Sequence, residues 1–180
     1  MKILSHFRMV PTLLAALVSG CAASTREIPA VGDFDLDRYL GSWYEIARLP
    51  HRFERGLDFV RAEYTLDGDG VKVVNSGIRD GEPRRIVGRA EFKDPKSKRV
   101  GELRVSFFWP FYGDYRIIEL DPDCRHAVVT GATKDYLWIL SREPEMPSSQ
   151  LAEILGRLER LGFATDKLEF PRQRGASGAL

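Results

Sequence analysis

Gly41-Ser42-Trp43-Tyr44-Glu45-Ile46-Ala47-Arg48-Leu49-Pro50 is the stretch on which the reading of the fold turns. Successive side chains of a β-strand alternate between faces, so Trp43, Glu45, Ala47 and Leu49 are expected on one side and Tyr44, Ile46 and Arg48 on the other. Gly41 breaks whatever precedes the strand, and Pro50 ends it. Such a strand needs partners.

The rest of the chain supplies them. Strands are expected at about 42–49, 59–66, 71–78, 84–93, 101–108, 113–120, 126–131 and 136–142. Turn residues separate them: Asp67-Gly68-Asp69-Gly70, Arg79-Asp80-Gly81-Glu82-Pro83, Asp94-Pro95-Lys96-Ser97-Lys98 and Asp121-Pro122-Asp123. Eight consecutive antiparallel strands predict an all-β, up-and-down barrel, which removes exposed sheet edges by closing on itself. A β-sandwich is the alternative. Pro147-Ser148-Ser149 opens the one long helical pattern, with Leu151, Ile154, Leu155, Leu158 and Leu161 on one face and Gly162 at the end. That stripe reads as a packing face, placing a C-terminal α-helix against the outside of the barrel.

Alternation also says what points inward. Arg61 and Glu63 belong in water, which turns Val60, Ala62 and Tyr64 inside; Arg89, Glu91 and Lys93 likewise turn Ile86, Gly88, Ala90 and Phe92 inside. Leu103, Val105 and Phe107 join them. The small residues Ala62, Gly88 and Ala90 favour a cavity over a packed interior, since an eight-stranded barrel has room for either.

With 180 residues, 43% of them hydrophobic, the chain suits one domain, and 27 basic against 26 acidic residues exclude a nucleic-acid surface. The N-terminus differs in kind. Lys2 and Arg8 lead the apolar run Met9 to Val18, which ends in Ser19-Gly20 and reads as a secretory signal peptide over residues 1–20. The run is about half the roughly 20 residues that span a bilayer, and it contains Pro11. Val18-Ser19-Gly20-Cys21 resembles the lipobox of bacterial lipoproteins, in which the cysteine is acylated and begins the mature chain. Ala22, rather than Asp, follows it, which in that sorting pattern implies the outer membrane. A plain signal peptide, with Cys21 free or bonded to Cys124, is the alternative. Each buried acyl methylene contributes about 0.8 kcal/mol, so a multiply acylated Cys21 would anchor the protein to a membrane. Residues 21–36 read as the lipidated N-terminus and a polar tether, 37–170 as the domain, and 171–180 as a disordered tail. No metal-ligand spacing exists in the sequence, and no cofactor is expected.

In such a barrel the first strand meets the last, so Trp43 is expected beside Arg142, sealing one end through a cation–π contact of about 0.5–2 kcal/mol. Gly41-Ser42-Trp43, Gly113-Asp114-Tyr115 with Arg116-Ile117-Ile118-Glu119-Leu120-Asp121, and Tyr136-Leu137-Trp138-Ile139-Leu140-Ser141-Arg142 occur in that order. Together they resemble the three motifs of the lipocalins, specifically the bacterial outer-membrane lipoprotein branch, across about residues 34–170. Gly113 departs from the pattern, where many lipocalins have Thr. The resemblance implies an eight-stranded calyx that holds a small hydrophobic molecule without a covalent bond. For the bacterial branch it implies a fatty acid or lysophospholipid, stored or moved on the periplasmic face of the outer membrane.

The end opposite Trp43 collects the loops 50–58, 79–84, 108–112 and 132–135. Basic residues beside aromatics there suit a lipid whose tail enters the barrel while its acidic head stays at the rim. Arg52, Arg84 and Arg85 are candidate head-group contacts and Tyr112 and Trp138 candidate chain or head contacts, with Tyr64, Phe92 and Phe107 lining the interior. The run Phe107-Phe108-Trp109-Pro110-Phe111-Tyr112 is an interface if exposed, with a membrane or with a second copy in a homodimer, and a gate if folded inward. His51 and His126 fall at opposite ends with no nucleophile and base beside either, so no catalytic residue is expected. The rival functions are a lipid-modifying enzyme on the same scaffold and an envelope interaction protein with no internal ligand.

Overall fold

The computed structural model describes residues 23–173. The signal peptide, Cys21 and the tail beyond residue 173 lie outside the described residues. A short helix α1 (Leu36–Tyr39) leads into β1 (Gly41–Arg48), followed by β2 (Asp58–Asp67), β3 (Gly70–Arg79), β4 (Glu82–Phe92), β5 (Glu102–Phe108), β6 (Phe111–Leu120), β7 (His126–Thr130) and β8 (Leu137–Ser141), then α2 (Ser148–Arg160). Each strand pairs antiparallel with the next and β8 pairs with β1, giving a closed eight-stranded barrel. The turns follow the residue chemistry. Asp80 and Gly81 both take positive φ, 53° and 78°, as the two-residue hairpin turn of type I′ requires. Gly41, at φ 95°, turns the chain from α1 into β1 in a conformation a side chain resists.

Two apolar cores share the wall. Inside the barrel, Trp43, Tyr64, Val73, Leu103, Ile117 and Val129 are buried around Tyr39 and Phe34. Outside it, Val128, Leu137 and Ile139 face Ile154 and Leu158 of α2. Strands β7 and β8 therefore carry apolar side chains on both faces, which is why their sequences are nearly continuous in Val, Ile and Leu. Leu161, the last residue of the expected stripe, is instead exposed.

Three expectations need correction. A bulge in the β1–β8 pairing between Glu45 and Ala47 breaks simple alternation, so Ala47 and Leu49 join the core under α2 while Arg48 turns inward with Glu45. Residues 23–36 are not a free tether: Thr25, Ile28 and Phe34 are buried, and the Arg116 guanidinium donates to the carbonyls of Thr25 and Ile28. Residues 171–173 are ordered wall. Glu169 exchanges backbone hydrogen bonds with Arg48, Phe59 N–H donates to Arg172 O at 2.7 Å, and the Gln173 amide donates to the carbonyls of Glu45 and Val60. β1 pairs with β2 only over Gly41–Tyr44, and this C-terminal segment lies in the gap beyond.

Candidate ligand-binding site

The base is sealed first. The Arg142 guanidinium lies 3.9 Å from the centre of the Trp43 ring and donates to the carbonyls of Cys124, Ser42, Arg38 and Tyr39. Trp43 is fully buried, and its indole N–H donates to Tyr39 O at 2.8 Å. Above it the hydroxyls of Tyr39 and Tyr64 both meet that of Tyr115, at 2.6 and 2.9 Å. Burial raises all three phenols above their ordinary pKa, so they stay neutral.

Higher up, the bore is less filled. Ala62, Val105, Phe107 and Trp138 pack against the core but are only half buried. Gly113 pairs with Val105 and shares its inward face, and a Cβ placed there would meet nothing within 4 Å. Gly88 is different. Its inward space is taken by the Phe107 ring, 2.6 Å from where a Cβ would stand, so this small residue permits packing rather than opening a cavity. Two clefts of about 240 and 210 Å³ flank the C-terminal segment, the first beside Ile46 and Met146 and the second beside Arg48 and Leu57.

The neck carries charge. Arg48 Nη1 pairs with Glu45 at 2.5 Å and Nη2 with Glu169 at 3.0 Å, and Nη2 also donates to Leu57 O. Glu54, on the loop after β1, accepts from the Trp138 indole N–H at 3.0 Å. His51 Nε2 lies 2.7 Å from the same carboxylate, off the line of a hydrogen bond, with its ring against Trp138. Burial is the largest influence on both acids. In Glu45, with Glu54 nearby, it lifts the pKa to about 8 despite Arg48; in Glu54 it is outweighed by His51, Trp138 and Arg48, which hold that carboxyl below its usual range. The Asn75 side-chain oxygen is buried among inward residues without a hydrogen-bond partner.

A pH dependence follows. Folded Glu45 holds its proton up to about pH 8, against 4.5 for an ordinary glutamate, so the native state binds the extra proton between those values. Stability should fall as pH rises through that window. Urea titrations from pH 5 to 9 should show a shallower fall for Glu45→Gln than for the wild type; parallel curves would refute the assignment.

A family model described as a lipocalin-like domain matches residues 34–173. The chain belongs to the lipocalin family. Outer membrane lipoprotein Blc of Citrobacter freundii is 44% identical over 178 residues, covering 94% of this chain and 99% of that protein. The protein of the same name from Vibrio cholerae is 40% identical, covering 90% and 96%. Temperature-induced lipocalin-1 of Arabidopsis thaliana is 36% identical, covering 79% and 81%. Among solved structures, insecticyanin from the tobacco hornworm Manduca sexta superposes with a TM-score of 0.67 at 22% identity, covering 84% of this chain and 87% of that one, a likeness of fold.

In this lipocalin the expected lining residues divide by height and by face. Tyr64 belongs to the tyrosine cluster, and Phe92 packs edge-on to Phe34, so both sit low. Phe107 and Trp138 line the upper bore. Arg84 pairs with Gly77, on the inward register of Val73 and Gly88, whereas Arg85 pairs with Ser76 on the outer face. Tyr112 is also outside, under the Arg104 guanidinium at 4.7 Å. Arg52 is exposed at the lip, over the Phe53 ring at 4.9 Å. Alternation alone missed Arg48, Glu54 and Asn75. Glu45 and Arg48, opposite charges three residues apart in β1, are a signal in the sequence from which the neck could have been found.

Proposed function

We propose that this lipocalin is a lipid-anchored carrier at the bacterial outer membrane, holding a fatty acid or lysophospholipid with its acyl chain in the upper bore. The observation that carries the reading is the unfilled inner wall at Gly113, above a sealed base and below a polar neck. An apolar tail suits the half-buried inner side chains, and an acidic head suits the lip, where Arg84 and Arg52 stand. Arg85 and Tyr112, on the outer face, have no part in it. The relatives named Outer membrane lipoprotein Blc support the anchoring and the location. The Val18-Ser19-Gly20-Cys21 segment supports acylation of Cys21. The reading is of a binding protein; incubation with phospholipid or acyl ester should give no turnover.

The test is native mass spectrometry of the protein purified from cells, which should carry one lipid per chain. Gly113→Trp projects an indole into open bore without straining the backbone, so it should lower affinity for a fluorescent fatty acid by about tenfold or more, with its melting temperature retained. Reversing the charge of Arg52 and Arg84 should weaken acidic lipids and spare neutral ones. Unchanged binding in Gly113→Trp would sink the interior site.

A further inference from the structure

The carrier reading leaves the lip unexplained. In the β5–β6 hairpin, Phe108, Trp109 and Phe111 are 62%, 83% and 78% exposed, and Phe53, on the β1–β2 loop across the same mouth, is 58% exposed. Buried, aromatic side chains each remove about 150–250 Å² from water, so leaving four in solvent at one end costs considerable stabilisation. The exposed Arg55, Arg84 and Arg85 stand at the same end. Aromatic side chains interleaved with arginines are the composition of a surface that rests at a lipid headgroup layer.

The entry of the chain says what covers this surface. Lys134 N–H donates to Ala23 O at 2.8 Å, Ser24 pairs with Thr133, and Thr25 N–H donates to Ala132 O at 3.1 Å. Residues 131–136 form the β7–β8 loop, which belongs to the lip and not to the base. Thr25 is fully buried and bonded through its hydroxyl to Gly131 O, so this entry point is fixed. Cys21 precedes Ala23 by two residues, a span of at most about 7 Å of chain. The base, sealed by Trp43 and Arg142, lies a strand away, about 26 Å for eight residues.

We infer that the mouth of the barrel docks on the membrane, with the β5–β6 hairpin in the headgroup layer and the bore opening onto the bilayer. The inference rests on the acylated Cys21 of the proposed function. An anchor at the lip holds the aromatic hairpin against lipid, whereas a second copy on the same patch would have to hold two anchors between two facing mouths. A lipid then passes between bilayer and bore without crossing open water.

The test uses the full chain isolated from membranes and reconstituted into vesicles of phosphatidylethanolamine and phosphatidylglycerol whose acyl chains are brominated near the headgroup. Trp43 is buried and Trp138 half buried, so Trp109 is the exposed reporter. Brominated vesicles should quench the protein's tryptophan emission, and Trp109→Phe should remove most of that quenching with the melting temperature unchanged. Absence of quenching in vesicle-bound protein overturns docking. So does a dimer in sedimentation that Trp109→Ser/Phe111→Ser dissociates while quenching is absent. Mass spectrometry of the same sample reports Cys21 acylation separately. If Cys21 is unmodified, the anchor reading fails, and docking is then judged on vesicle flotation: quenched, co-floating protein supports it, and protein that stays in solution overturns it. In a Cys21→Ser chain, Trp109→Ser/Phe111→Ser should reduce vesicle binding by about tenfold or more.

Discussion

Replacing Trp43 by alanine is expected to destabilise the protein by about 3–5 kcal/mol, the range for emptying a large aromatic site in a packed core. Three losses combine. The indole is fully buried among the side chains of the base. Its N–H is the donor to Tyr39 O, and its face is the surface on which the Arg142 guanidinium rests. Arg142→Ala should cost about 2–4 kcal/mol, because it removes a charged donor to four carbonyls at a partly open end where water replaces some of those bonds. Arg142→Lys should recover little, since one ammonium cannot reach around the planar fork's directions. Urea unfolding of the two single variants and the double variant measures the coupling, expected at about 0.5–2 kcal/mol. Strict additivity would show that the ring and the guanidinium only happen to be neighbours. Fatty-acid affinity of the folded Arg142→Lys variant should stay near wild type, because the base takes no part in holding the head.

Arg116→Leu is the second large effect, expected at about 2–4 kcal/mol. Its guanidinium is nearly inaccessible and donates to Thr25 O and Ile28 O while pairing with Glu102 at 3.0 Å. Leucine leaves two carbonyls and a carboxylate without their donor, although Glu102 is open enough to water to recover part of the loss. The damage should be local as well as global. The segment from Ala23 to Phe34 is held by Arg116 and by backbone bonds such as Val31 N–H to Ile117 O at 2.9 Å, so hydrogen exchange at Thr25 and Ile28 should accelerate more than in β3. Uniform acceleration across the barrel would mean that Arg116 only contributes to overall stability.

The strands are legible in the sequence because their ends carry Asp, Gly and Pro at positions that turns require, and because charged residues alternate with apolar ones along β2 and β4. The helix is legible from Ile154 and Leu158 for the same kind of reason, a repeat that matches the geometry. The contact between Trp43 and Arg142 follows from connectivity: if strand one closes on strand eight, these two residues meet. What alternation does not carry is the bulge. Four strand pairings shift register, between Glu45 and Ala47, Asp58 and Arg61, Val105 and Phe108, and Ile117 and Glu119. Each shift resets which face the following side chains take, and nothing in the residue pattern marks the shift itself. Arg48 is thereby expected on the face opposite Glu45 and is found paired with it in the neck. Tyr112 is separable from the lining only through its neighbour: Gly113 pairs with Val105 inside, which puts Tyr112 outside. The buried N-terminal segment is hidden for another reason. Ser24, Thr25 and Pro29 look like linker chemistry, and the side chain that holds the segment at Thr25 and Ile28, Arg116, lies far along the chain.

The gap between β1 and β2 makes the last described residues something other than an appendix. Above Tyr44 these two staves part company, and Glu169, Arg172 and Gln173 are stitched into the opening, reaching Arg48 and Glu45 on one side and Phe59 and Val60 on the other. The vessel is thus finished by its own tail. Cutting the chain after Leu168 would not trim an end but breach a side, admitting water to Arg48 and Glu45 and changing the charge balance of the neck. A label or fusion partner belongs beyond Gln173, where the seam is already closed.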